Sequence, residues 1–221
     1  MSPLALALLT LLHLLVPIYW LGGDLGAFYS SRFLVDPNRT LAERMMALTI
    51  LNTIDMAPRT ALILALPTGL ILAAAKGWLA LPGPLLALVW AGFLAWLALA
   101  WAVHLRHGPG AESLRRLDLA IRYAVFAALA GSGAAGLAGA LALPQFIALK
   151  LLVLAGCVAL GLVVRRQLVP LFPAIVALRR DGPTPAVDAV IRGVIAVTQP
   201  TVMILWALVL VASLLGLATP V

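Results

Sequence analysis

His13 and Lys150 are ionisable side chains that stand inside long apolar stretches of the sequence. Within a bilayer such groups are costly, and those that are kept usually face the interior of a helix bundle and serve a function. An imidazole can ligate iron or transfer a proton, and an ammonium group can bind a carboxylate. Two simpler interpretations stand beside these: His13 hydrogen-bonds a neighbouring helix, and Lys150 extends its amine to the water at the interface.

A second set of polar residues is predicted at the other end of the same helices. A rise of ~1.5 Å per residue places His13 ~15 Å and Lys150 ~6–9 Å below the surface where the first helix begins, and the second set ~24–30 Å below it. This inner polar cluster comprises Asp24, Asp55, Arg59, His104 and Gln199. Asp55 precedes Arg59 by four residues, a spacing that favours a neutralising structural ion pair along one helix face over a proton relay.

The composition indicates a membrane protein. Apolar residues make up 64% of the 221 positions and charged residues 10%, whereas soluble domains carry about a quarter charged residues. A hydrocarbon core ~30 Å thick requires ~20 apolar residues per helix, and the apolar runs here are continuous and rich in Leu and Ala rather than alternating. The predicted fold class is all-α, a polytopic bundle of about six transmembrane helices that forms a single domain over residues 1–221.

The six predicted spans are 3–29, 53–75, 84–105, 118–143, 146–168 and 195–217. A helical segment is expected before the second span, and a short amphipathic helix on the membrane surface is expected within residues 166–192. The first apolar run has no Lys or Arg in front of it, unlike a cleaved secretory signal, so we interpret it as a retained helix.

The arginines mark one side of the membrane. The first, third and fifth loops are basic, whereas the other two loops and both termini contain only Lys76. Because cytoplasmic loops carry the excess of Lys and Arg, we predict that both termini lie outside, in a bacterial cytoplasmic (inner) membrane. This placement explains the net charge of +7 by topology and anionic lipid, and it argues against a nucleic-acid partner.

Haem b in a helix bundle is commonly held by one or two axial His. Two axial atoms on one iron lie ~4 Å apart, but His13 and His104 differ in predicted depth by ~15 Å. The predicted depths therefore argue against a bis-histidine site formed by this pair, and a haem on His13 alone or with a weaker ligand stays open. His104 and His107 are instead expected to be structural or solvated at the end of a helix.

Small residues predict where helices approach each other closely. Gly22, Gly26 and the glycine-rich run 131–139 are candidates for such contacts. The chain has a single cysteine, Cys157, which excludes an internal disulfide and a cysteine-based zinc site. The sequence also lacks the motifs of P-loop proteins, zinc proteases and serine hydrolases, so no catalytic residue is assigned.

Four segments resemble the HemJ-type protoporphyrinogen oxidases and the related CopD-like integral membrane proteins. These segments occur in the same order as in the family and cover about half of the chain. The first is the opening helix with His13, Trp20 and Arg32-Phe33, and the second is Met56-Ala-Pro58 with Gly69. The third is Ala148-Leu-Lys150, and the fourth is Gln199-Pro200-Thr201. Relative to that family, residues 77–143 are an insertion. Two histidines of the family, one after the Arg-Phe stretch and one before the Lys, have no counterpart in this chain.

The resemblance implies a helix bundle that holds haem b or a porphyrin. His13 is the position carried over as metal ligand, Lys150 would lie near a tetrapyrrole carboxylate, and Trp20 would belong to the same cofactor site. The activity implied is that of an oxidoreductase with a redox partner.

Two other functions stay open. A small transporter for a metal or another solute would join His13 and Lys150 to Asp55 and Arg59 along a polar path. An accessory subunit of a larger membrane complex would use the glycine-rich face of the predicted span 118–143 for docking. Membrane lipids are expected contacts in every case.

Overall fold

The computed structural model describes residues 1–106 and 111–218. Over these ranges the chain is all-α. The helices are α1 (Pro3–Val35), α2 (Leu41–Ile54), α3 (Met56–Ala75), α4 (Gly83–Leu105), α5 (Ala111–Leu137), α6 (Gln145–Gln167), α7 (Leu171–Asp181) and α8 (Pro185–Leu217).

Within the described ranges, six helical segments are long and apolar enough to cross a membrane. Four are single helices, α1, α4, α5 and α8, and two combine neighbours: α2 with α3, and α6 with α7. The predicted polytopic bundle of six spans is therefore confirmed, and the chain is an integral membrane protein. The side on which the termini lie stays a prediction.

Helix boundaries differ from the prediction because caps, rather than apolar windows, decide where helices begin and end. α8 begins at Pro185 instead of residue 195, since the Thr184 side chain accepts a hydrogen bond from the Val187 N–H. α1 continues to Val35 instead of residue 29. α5 ends at Leu137 instead of residue 143, and Gly139 follows with φ of 76°, a left-handed conformation that glycine adopts readily.

The helical segment expected before the second span is α2, which begins with a capping box. Thr40 and Glu43 each bind the other's backbone N–H at the start of this helix. The expected short helix within residues 166–192 is α7, whose Ala174, Ile175 and Leu178 pack against Leu34 and Ile191. This second core ties the polar ends of α1, α2, α7 and α8 together.

The larger core lies in the middle of the bundle. α1 packs against α3 and α8, α6 packs against α5 and α8, and α4 lies against α3 and α5. Trp20, Ala61, Cys157 and Leu205 belong to this core and come from four different helices.

Only some of the glycines that were predicted to lie at close helix contacts do so. In α1 the contact is made by Gly23, where a Cβ would lie 2.7 Å from Pro58 Cδ, and by Gly26, where it would lie 3.2 Å from Ile54 Cγ2. The prediction for Gly22 is wrong, because nothing lies within 4 Å of its Cβ position.

The glycine-rich face of α5 is used inside the chain. A Cβ on Gly133 would lie 2.9 Å from the Ala148 carbonyl oxygen, and a Cβ on Gly136 would lie 2.9 Å from the Ala148 Cβ. At these two positions α6 occupies the face that the accessory-subunit hypothesis reserved for a partner.

Candidate functional site

A cavity of about 200 Å³ lies between α1, α3, α6 and α8. His13, Lys150 and Trp20 all line it. His13 and Trp20 come from α1, and Lys150 comes from α6. Most of the remaining lining is apolar, contributed for example by Leu14, Leu66, Leu70, Trp78, Phe146, Leu154 and Val209.

His13 is held by a hydrogen bond to Thr68 on α3. Its Nδ1 lies 2.9 Å from the Oγ1 of Thr68, and that hydroxyl donates its single proton to a carbonyl of its own helix, 2.6 Å away at Leu64. With the hydroxyl proton on the Leu64 carbonyl, the His13 Nδ1 carries a proton and donates it to the Thr68 Oγ1. The lone pair is left on Nε2, and a fixed second nitrogen of this kind is the usual setting of a metal-binding histidine.

Glycines on neighbouring helices make room for both polar side chains. A Cβ on Gly69 of α3 would lie 3.2 Å from the His13 Cε1, and a Cβ on Gly216 of α8 would lie 2.7 Å from the Lys150 Nζ. Each side chain thus crosses from its own helix to the surface of the next one. Within residues 1–106 and 111–218, Lys150 forms no ion pair with an Asp or Glu side chain.

Cys157 is a lining residue that the sequence reasoning did not assign to the site. Its thiol is buried and free. The signal was present, because Cys157 follows Lys150 by seven residues, just as Trp20 follows His13 by seven. Residues seven apart lie on the same face of a helix, so each helix presents a polar residue with a second lining residue two turns away.

The inner polar cluster comes together in part, since Asp24 and Asp55 are close enough for their charges to interact. Asp55 and Arg59 make the expected ion pair, while the Asp24 carboxylate accepts a hydrogen bond of 3.2 Å from the Trp206 indole. His104 lies against the Trp101 ring on α4, a helix that packs against α3 and α5 rather than against the contact between α1 and α8. Gln199 is half-buried on α8. His107 lies outside the described residues.

A buried ionic cluster that the sequence reasoning missed joins α4, α5 and α6. The Asp118 carboxylate accepts hydrogen bonds from the Trp96 Nε1 at 3.0 Å, the Arg122 Nε at 3.0 Å and an Arg165 amino group at 2.9 Å. The spacing of Asp118 and Arg122, four residues apart, favours such a pair. The link to Arg165 depends on how α5 and α6 pack and has no local signal.

Comparison with protein-family models, curated proteins and solved structures yields no match to this chain. The resemblance to HemJ-type and CopD-like proteins therefore stays a prediction. The geometry of the cavity is the basis for any function assigned to it.

The cavity fits part of what a haem needs. It offers one imidazole with an oriented Nε2, one amine for a carboxylate, and apolar walls. Its volume of about 200 Å³ is below the ~300–1,000 Å³ typical of ligand pockets, so a complete macrocycle requires the surrounding helices to move apart. No group of three His, Cys, Asp or Glu side chains comes together in the described part of the chain, so a metal here would have His13 as its one imidazole ligand.

Proposed function

We propose that this integral membrane protein binds a tetrapyrrole, haem b or a porphyrin, between α1, α3, α6 and α8 and acts in redox or tetrapyrrole chemistry. The observation that supports this proposal is that His13 and Lys150 line one apolar cavity although they lie on different helices and 137 residues apart in the numbering. A planar apolar ligand with carboxylates at its edge matches that combination of groups.

Each residue has a distinct role in the proposed site. The His13 Nε2 would ligate the iron, and the hydrogen bond to Thr68 would orient the imidazole for that role. The Lys150 amine binds a propionate and offsets the cost of burying that carboxylate. Trp20, a buried residue of the cavity lining, provides a flat wall against which a ring can pack. Haem, when bound, supplies one-electron chemistry.

An absorption spectrum of the purified protein tests the proposal. The protein in detergent is titrated with haem b and separately with protoporphyrin, and wild type is expected to show a Soret band at stoichiometric ligand. His13→Ala should lose the axial ligation and shift or abolish the haem spectrum. His104→Ala is the matched control, because His104 lies on α4 away from the cavity, and its spectrum should equal that of wild type.

Two results would contradict the proposal. One is a wild-type protein that binds neither haem nor porphyrin while remaining folded. The other is a haem spectrum that is the same in wild type and His13→Ala, since the ligand would then be held elsewhere.

A further inference from the structure

The Asp118 cluster, made of Trp96, Asp118, Arg122 and Arg165, carries more positive than negative charge. Its one carboxylate is shared by two guanidinium groups. Asp118 is buried and Arg122 nearly so, while the Arg165 side chain is 37% exposed. The Arg165 side chain is therefore partly exposed, and it shares with Arg122 a single carboxylate that cannot neutralise both charges.

Arg166 adds a second positive charge at the same place. It follows Arg165 at the end of α6, is exposed, and donates a hydrogen bond of 3.4 Å to the Tyr123 hydroxyl on α5. This bond brings Arg166 to α5, as the bond to Asp118 does for Arg165. Two guanidinium groups thus reach α5 from the same end of α6.

Exposed aliphatic residues stand near the residues of this contact in the chain. Leu117 on α5 is 51% exposed, and Val163 and Val169, at and beyond the end of α6, are 43% and 60% exposed. Basic groups between helices at the end of a membrane span, beside exposed aliphatic side chains, match a ligand with an anionic head and apolar tails. Arginine suits a phosphate in particular, because its planar fork donates two hydrogen bonds to one anion.

We propose that an anionic phospholipid binds at the contact between α5 and α6, with its phosphate on Arg165 and Arg166 and its acyl chains along Leu117 and Val163. Asp118 acts as a positioning residue that holds the Arg165 guanidinium beside the lipid. The site is separate from the cavity between α1, α3, α6 and α8, so it does not depend on the proposed tetrapyrrole.

Lipid binding to the purified protein tests this site. The delipidated protein in detergent is titrated with phosphatidylglycerol or phosphatidylcholine, and bound lipid is counted by native mass spectrometry. We expect phosphatidylglycerol to bind more tightly. A juxtamembrane charge contributes about 1 kcal/mol to binding an anionic membrane, so Arg166→Gln should weaken phosphatidylglycerol about fivefold and Arg165→Gln with Arg166→Gln about 25-fold.

Controls separate the site from general basicity and from misfolding. Arg179→Gln with Arg180→Gln removes two exposed arginines at the end of α7 and should leave the affinity unchanged. Arg166→Gln lies outside the Asp118 cluster, so the melting temperature without lipid should equal that of wild type. Arg165→Lys should retain more affinity than Arg165→Gln.

Three outcomes would overturn the proposal. One is phosphatidylcholine that binds as tightly as phosphatidylglycerol, and another is a double variant at Arg165 and Arg166 that binds phosphatidylglycerol as tightly as the control at Arg179 and Arg180. Inorganic phosphate at the same concentration must also fail to compete, because equal competition would identify a site for a free anion rather than a lipid.

Discussion

At the scale of single residues, the chemistry of the cavity depends on which nitrogen of His13 carries the proton. Thr68 is the partner through which this is set, because a hydroxyl that donates to its own helix offers only its lone pairs to His13. Threonine is often placed in helices for packing, and here the same residue also orients an imidazole 55 positions away in sequence.

Thr68→Val should release His13. The substitution keeps the volume but removes the acceptor, and an unpaired buried N–H costs about 1–3 kcal/mol. We expect a lower melting temperature and a weaker haem spectrum. Thr60→Val on the same helix is the control, because the buried Thr60 Oγ1 has no hydrogen-bond partner among the described residues, and this variant should be at least as stable as wild type. Equal effects of the two substitutions would remove Thr68 from the site.

Lys150 should recognise the carboxylates of the ligand. Wild type is expected to prefer a porphyrin with free propionates over its dimethyl ester by about tenfold or more, given that a hydrogen bond to a charged group contributes about 1.5–3 kcal/mol. Lys150→Met keeps the aliphatic length and should abolish the preference. Titrations followed by porphyrin absorbance measure both affinities. A preference that survives in Lys150→Met would place the carboxylates elsewhere.

At the scale of helices, α5 and α6 are held close by a small residue. A Cβ on Gly133 would lie 2.7 Å from the Leu152 Cγ and 2.9 Å from a backbone oxygen that cannot easily move. Gly133→Ala should therefore force the helices apart and destabilise the protein by about 1–3 kcal/mol. Gly131→Ala on the same helix meets nothing within 4 Å and should be neutral or stabilising. Melting temperatures in detergent compare the two, and a Gly133→Ala variant as stable as Gly131→Ala would refute the tight contact.

Ion pairs between helices should differ in importance according to burial. Asp118→Asn leaves Arg122 and Arg165 without a buried counter-charge. Breaking a fully buried ion pair in this way costs about 3–5 kcal/mol, and we expect a smaller loss of stability here because Arg165 is partly exposed. Asp55→Asn removes a partly exposed pair within one stretch of chain, for which about 0–1 kcal/mol is expected. Thermal unfolding of the two variants gives the comparison, and similar losses would show that the Asp118 cluster contributes little.

At the scale of the whole molecule, the basic loops predict an orientation that labelling can test. In a Cys157→Ala background, Ala80→Cys should react with a membrane-impermeant maleimide in intact cells, whereas Asn38→Cys should react only after the membrane is permeabilised. Both positions are exposed. The opposite pattern would show that the positive-inside rule is outweighed in this chain.

The sequence alone determined the features that depend on one segment and its solvent. A run of apolar residues long enough to cross the bilayer identifies a span wherever that run packs, so all six spans and the all-α class were predicted. The Asp55 and Arg59 pair was also predicted, because both residues lie within one helical stretch. Helix ends were less accurate, since Thr184 and Gly139 act through cap geometry that an apolar window does not detect.

Only the tertiary structure decided which faces meet. It brought His13 to Thr68, Lys150 to Gly216 and Asp118 to Arg165, and it separated His104 from the contact between α1 and α8. In lipid every helix is apolar over most of its surface, so the side that faces a neighbour has no strong hydrophobic signal of its own. That choice depends on small residues and hydrogen bonds between distant segments, and these act only once the helices are packed.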